Sequence, residues 1–132
     1  MKRYGYLIQE IIERDNLEAS FDEVTCDLPK WSKEYYIRQK EDIIKNLAKS
    51  IGDGSFRITR FEEFEVEDGP KKRKVQSPPV VERIGCNAVM RVVEKYVYPT
   101  VIPTSAASIK GRGMHKLFRK VRSDIQHDKE NT

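Results

Sequence analysis

Apolar residues recur with a helical period at both ends of this chain and with a two-residue period in its middle. Tyr4, Leu7, Ile8, Ile11 and Ile12 fall at i, i+3, i+4, i+7 and i+8, one face of an amphipathic helix that ends near Asp15-Asn16. Asn16 is placed to cap a short second helical turn through Leu17, Ala19 and Phe21. Ser32 is placed to cap a longer helix that buries Ile37, Ile44, Leu47, Ala48 and Ile51. Gly52-Asp53-Gly54 closes it, because glycine takes the left-handed conformation at little cost. The period then changes. Phe56 and Ile58 alternate with Arg57 and Thr59, and Phe64 and Val66 with Glu63 and Glu65, predicting a strand over 56–66 bulged near Phe61. A turn at Glu67-Asp68-Gly69-Pro70 returns the chain through 71–76 as a hairpin.

Ser77-Pro78-Pro79 starts the next helix, with Pro79 suited to the first turn because it has no amide to leave unpaired. Val80, Val81, Ile84, Ala88, Val89, Val92, Val93, Tyr96 and Val97 cover more than one stripe, so this helix, closing before Pro99, is expected to be the most buried. Residues 100–107 read as loop or short strand, and 109–113 as a basic turn bracketed by glycines. Met114, Leu117, Phe118, Val121 and Ile125 mark a last amphipathic helix, and 126–132 a polar, frayed end. The expected fold class is α+β, mainly helical with a β-hairpin. A helical extension over 1–55 precedes one compact unit over 56–132.

Composition sharpens this. The chain has 132 residues, about one domain, and 38% hydrophobic against 35% charged residues is a thin apolar supply. A mean hydropathy of -0.68 is low enough for disorder, but periodic apolar residues argue for folding. The net charge of +4 is unevenly placed: 61–68 hold five carboxylates, whereas 70–74 and 110–122 are strongly basic, which suggests a face for phosphate. Carboxylates on the outgoing hairpin arm would face cations on the returning one, setting register at about 0.2–1 kcal/mol per pair. Cys26 and Cys86 sit in no C-x-x-C pair and read as free, buried thiols of a reducing compartment. With neither a leader-like apolar run nor a membrane span in the sequence, cytoplasm is the expected location. His115 and His127 lack ligand spacing and read as surface histidines, so no metal site is expected. Trp31, Tyr35 and Tyr36 read as core or docking surface before base-stacking platform. Residues 70–75 fit a nuclear-import pattern, which requires a flexible stretch rather than one held between a strand and a proline-started helix.

Arg73-x-Val75-x-x-Pro78-x-x-x-Glu82-Arg83-Ile84, an apolar helix closing at Pro99, and then Ser105-x-x-Ser108-x-Lys110-Gly111-Arg112-Gly113-x-His115 form one ordered pattern. It resembles the first two conserved blocks of prokaryotic reverse transcriptases, the group II intron-encoded, retron and related retroelement enzymes. Asn16-Leu17 and Gly54-Ser55-Phe56-Arg57 fit the same family upstream, and the likeness is strongest over 70–116. The resemblance implies the fingers subdomain of a right-hand polymerase, an RNA-directed DNA polymerase (a nucleotidyltransferase). The family's catalytic aspartates lie in later blocks, a D-x-x-x-[FY] strand and a D-D hairpin. Neither occurs here, and Asp124 and Asp128 are the only aspartates after residue 68. The resemblance therefore implies a fingers portion with no catalytic residue and no cofactor of its own, Mg²⁺ being expected in the full-length enzyme.

Carried over residue by residue, it assigns Lys72, Arg73, Lys110 and Arg112 to dNTP or template phosphates, and Gly111 and Gly113 to close backbone approach. Arg83 either contacts nucleic acid or pairs with a carboxylate such as Glu82. The implied partners are RNA template, DNA primer and dNTP, with no membrane, and self-association through a palm-facing surface. The alternative is a stand-alone nucleic-acid-binding module without catalysis, steeply salt-dependent and indifferent to added nucleotide.

Overall fold

The computed structural model describes Arg3, residues 5–106 and residues 109–130. Tyr4 of the first predicted stripe, and Ala107 and Ser108 ahead of the glycine turn, lie outside the described residues. The chain is mostly helical, an α+β arrangement of α1 (Leu7–Ile11), α2 (Arg14–Thr25), α3 (Lys30–Arg38), α4 (Lys40–Asp53), β1 (Glu62–Asp68), β2 (Lys71–Ser77), α5 (Val80–Val97) and α6 (Met114–Glu130), with a 3₁₀ turn at Tyr98–Thr100. It divides into two compact units, Met1–Glu94 and Lys95–Thr132. Residue 55, where the sequence suggests a boundary, lies within the first.

In the first unit, Ile11, Leu17, Phe21, Ile43, Ile44, Leu47, Ile51, Ile84, Ala88 and Val92 form one core drawn from α1, α2, α4 and α5. Burying each larger member contributes about 1.5–3 kcal/mol. α5 contributes four buried positions, as α2 and α4 each do, so it shares the centre rather than dominating it. Asn16 is not a cap. It lies inside α2, where its Nδ2 donates to the Ile11 carbonyl at 2.9 Å and to the Ala88 carbonyl at 3.1 Å, tying three helices together. Ser32 is likewise inside α3, whose N-cap is Pro29. The single long helix predicted here is two helices meeting at Gln39. That break turns the Ile43, Ile44, Leu47 and Ile51 stripe of α4 inward, while α3 buries no residue and Ile37 stays half exposed.

Gly54 caps α4 in the left-handed conformation, φ 79°. The strand predicted from Phe56 starts only at Glu62. Its first amides are directed to other partners: the Phe56 amide donates to the Ser50 carbonyl at 3.0 Å, and the Thr59 amide to Glu82 Oε1 at 3.0 Å. Backbone donors satisfied on α4 and α5 are not free to join a ladder. The Phe56 ring lies over Gly85, where a Cβ would come within 2.5 Å of it.

β1 and β2 pair antiparallel around a two-residue turn, Gly69-Pro70, with Gly69 at φ 62°. The register sets Glu65 opposite Lys74, Glu67 opposite Lys72 and Asp68 opposite Lys71, as the charge pattern predicts. In the second unit, Gly111 (φ 76°) forms the turn before α6, closed by the Arg112 amide on the Ile109 carbonyl at 3.1 Å. None of this unit's described residues is fully buried, and Met114, Phe118, Val121 and Ile125 of α6 are exposed. α6 continues to Glu130, through most of the stretch that the sequence suggests is frayed.

Candidate nucleic-acid interface

Alternation along a strand decides what the basic hairpin can present. Glu63, Glu65, Glu67, Lys72, Lys74 and Gln76 share one face, whereas Phe64, Val66, Asp68, Lys71, Arg73 and Val75 share the other. Lys72 and Arg73, paired by sequence as phosphate ligands, therefore project to opposite sides. Arg73 meets Asp68 at 3.1 Å, and Gln76 donates to Glu63 at 2.7 Å. Among the described residues, Lys71, Lys72 and Lys74 close no ion pair although carboxylates stand opposite them. Five carboxylates on β1 against four cations on β2 leave the hairpin with a net charge of −1. Residues 70–74 are exposed and Val75 is part-buried, and the stretch lies in a turn and a paired strand, not in a free tail.

Arg83 stands apart. The carboxylate expected beside it, Glu82, instead accepts from the Thr59 amide and hydroxyl. Arg83 is part-buried, its Nε is buried without an acceptor, and among the described residues it has no ion-pair partner. Two turns further along α5, Arg91 does find one: its Nη1 lies 2.7 Å from Glu23 Oε1, and Asn87 Nδ2 donates to Glu23 Oε2 at 3.2 Å.

In the second unit Lys110 is exposed, and Arg112 is part-buried with Nη1 donating to the Ile102 carbonyl at 2.9 Å. That bond closes the loop from 102 to 112, a bracing role that sequence alone does not suggest. Gly111 takes the positive φ that favours glycine, and both Gly111 and Gly113 have open space where a Cβ would point. A pocket of about 220 Å³ opens here, lined by Pro103, Thr104, Arg112, Gly113, Lys116, Leu117 and Lys120. Lys116 and Lys120 were not among the predicted ligands. Their signal is present in the sequence nonetheless: residues 95–123 contain no carboxylate and seven Lys or Arg.

Other candidates take plainer roles. Trp31 and Tyr35 are exposed, which removes the core as their place, and Tyr35 meets Tyr36 edge to face at 5.2 Å. Both thiols are free; Cys26 is exposed rather than buried as expected, donating to the Glu23 carbonyl at 3.0 Å, while burial and then Glu82 push the Cys86 thiol above its ordinary pKa. His115 is exposed. Among the described residues no three His, Cys, Asp or Glu side chains could hold a metal ion together, and no helix is long and apolar enough to cross a membrane. No protein-family model matches the chain, and no curated protein matches it significantly.

Proposed function

We propose that this chain is the fingers portion of an RNA-directed DNA polymerase, holding template–primer and the phosphates of the incoming dNTP. The catalytic aspartates and the Mg²⁺ they bind belong to segments this sequence does not contain. Support comes from the order of its parts: a strand of four successive cations entering α5, then a left-handed glycine turn entering α6, in the order of the reverse-transcriptase blocks it resembles. The observation that carries the reading is Arg83, part-buried, with an Nε that finds no acceptor and no carboxylate partner among the described residues. A desolvated charge without a counter-charge is costly, and a phosphate oxygen fits the planar guanidinium fork. Arg73 keeps a solvent-exposed partner, Asp68, which a triphosphate can displace because such pairs contribute only about 0–1 kcal/mol.

The test is fluorescence anisotropy of a labelled template–primer, with and without the dNTP that matches the next template base. The expected result is tighter binding on adding that dNTP, with the gain lost in Arg73→Ala and overall binding weakened in Arg83→Ala but retained in part by Arg83→Lys. Template–primer affinity indifferent to dNTP would overturn the polymerase reading. It would favour the second reading, a stand-alone nucleic-acid-binding module, for which the acid-free segment over 95–123 speaks. The exposed Met114, Phe118, Val121 and Ile125 supply apolar surface for self-association. Sedimentation that stays monomeric at rising concentration removes that element.

A further inference from the structure

We infer that the glycine turn and the first half of α6 together carry a short phosphate track, Arg112 on the turn and Lys116 and Lys120 on the helix, along which a single nucleic-acid strand lies with one base entering the adjoining pocket. This rests on the nucleic-acid-binding reading above and extends it to two residues which that reading does not use. The three cations recur at intervals of four residues and line the same pocket of about 220 Å³. From Lys116 to Lys120 along α6, four residues advance about 6 Å, close to the separation of neighbouring phosphates in an extended strand, and Arg112 precedes them on the turn. The track has an end: one turn on, Asp124 pairs with Lys120 at 2.6 Å, so a strand meets repulsion beyond three phosphates. Pro103 and Leu117 give the pocket apolar walls against which a base can rest, and Thr104 and Gly113 complete its lining.

An anionic membrane is the other surface a basic amphipathic helix can serve. Helical geometry disfavours it here. At about 100° per residue, Lys116 and Lys120 lie on the side of α6 roughly opposite Phe118, Val121 and Ile125. A flat bilayer cannot engage the apolar stripe and the track together, whereas a strand needs only the track and its pocket.

The experiment measures anisotropy of a fluorescein-labelled oligo(dU) dodecamer against the whole chain across a salt series. It compares wild type, Lys116→Ala/Lys120→Ala, and a control of equal charge change, Arg119→Ala/Arg122→Ala. The exposed positions leave folding intact, which circular dichroism checks. Losing two single-strand phosphate contacts is expected to lower the steepness of log K against log salt by about 1.4, with a clearly smaller change in the control. Equal effects of the two pairs mean diffuse charge and overturn the track while leaving the nucleic-acid reading standing. Absence of oligonucleotide binding by wild type sinks that reading and the track with it. Lysine-dependent binding to phosphatidylserine vesicles in place of the oligonucleotide overturns the track in favour of a membrane.

Discussion

Gly85→Ala tests how the first unit is assembled, because two opposing effects of known size meet at one atom. In the interior of α5, alanine in place of glycine gains about 0.8–1.0 kcal/mol of helix propensity. Against this, the new methyl carbon would sit 2.5 Å from Phe56 Cε2 and Cζ and 3.2 Å from Leu47 Cδ2. A contact that short cannot persist, so the ring must leave its seat, and overpacking of this kind costs about 1–3 kcal/mol. The balance is a net loss of about 1 kcal/mol. The sign depends chiefly on Phe56, because the Leu47 contact needs only a few tenths of an ångström of give. In a Phe56→Ala background, itself expected to cost about 2 kcal/mol for a part-buried ring, the same Gly85→Ala change should stabilise by up to about 1 kcal/mol. A double-mutant cycle by urea unfolding, followed by far-ultraviolet circular dichroism, should therefore return a coupling near 2 kcal/mol. If Gly85→Ala raised the unfolding midpoint equally in both backgrounds, the packing of residue 56 on α5 would be refuted.

Three further outcomes follow from the geometry. Asn16→Ala removes donors to both the Ile11 and Ala88 carbonyls and should cost about 1–3 kcal/mol, read as a lower urea midpoint; an unchanged midpoint would show the bridge to be idle. Thiol-specific labelling near neutral pH should modify exposed Cys26 well before Cys86, whose thiol is held protonated by burial and by Glu82, and mass mapping that finds Cys86 first contradicts this. Hydrogen bonds from Ser55 hold the Asp53 carboxyl below its ordinary range, so the carboxylate favours the folded state above the unfolded pKa near 3.9, and that advantage is lost as pH falls through the lower folded value. The stability difference between wild type and Asp53→Ala should shrink accordingly on acidification, and a difference that grows would reverse the assignment.

What could be read from sequence was whatever local chemistry fixes. Gly54 ends α4 and Gly69 turns the hairpin because each needs a positive φ, and the hairpin register follows from facing charges. The mis-assigned parts depend on distant partners. Asn16 has the chemistry of a cap, but its amide reaches a carbonyl 72 residues away. Phe56 and Thr59 alternate like a strand, yet their amides are taken by Ser50 and Glu82, which no period reveals. The proposed ligands divide the same way. Arg73 and Lys72 are adjacent in the chain but separated by the pleat, while Lys116 and Lys120 join Arg112 only once α6 is wound beside the 103–104 loop.

The hairpin's built-in counter-charges have one more consequence. With a row of anions on one strand and a row of cations 4.7–4.9 Å away on its neighbour, its field beyond a screening length of about 8 Å is that of a dipole with a weak net negative charge, not of a positive pole. Such an element draws nothing in from solution. On the proposed reading it acts only at contact, where a captured polyanion would be turned so that its phosphates lie along β2 and away from β1.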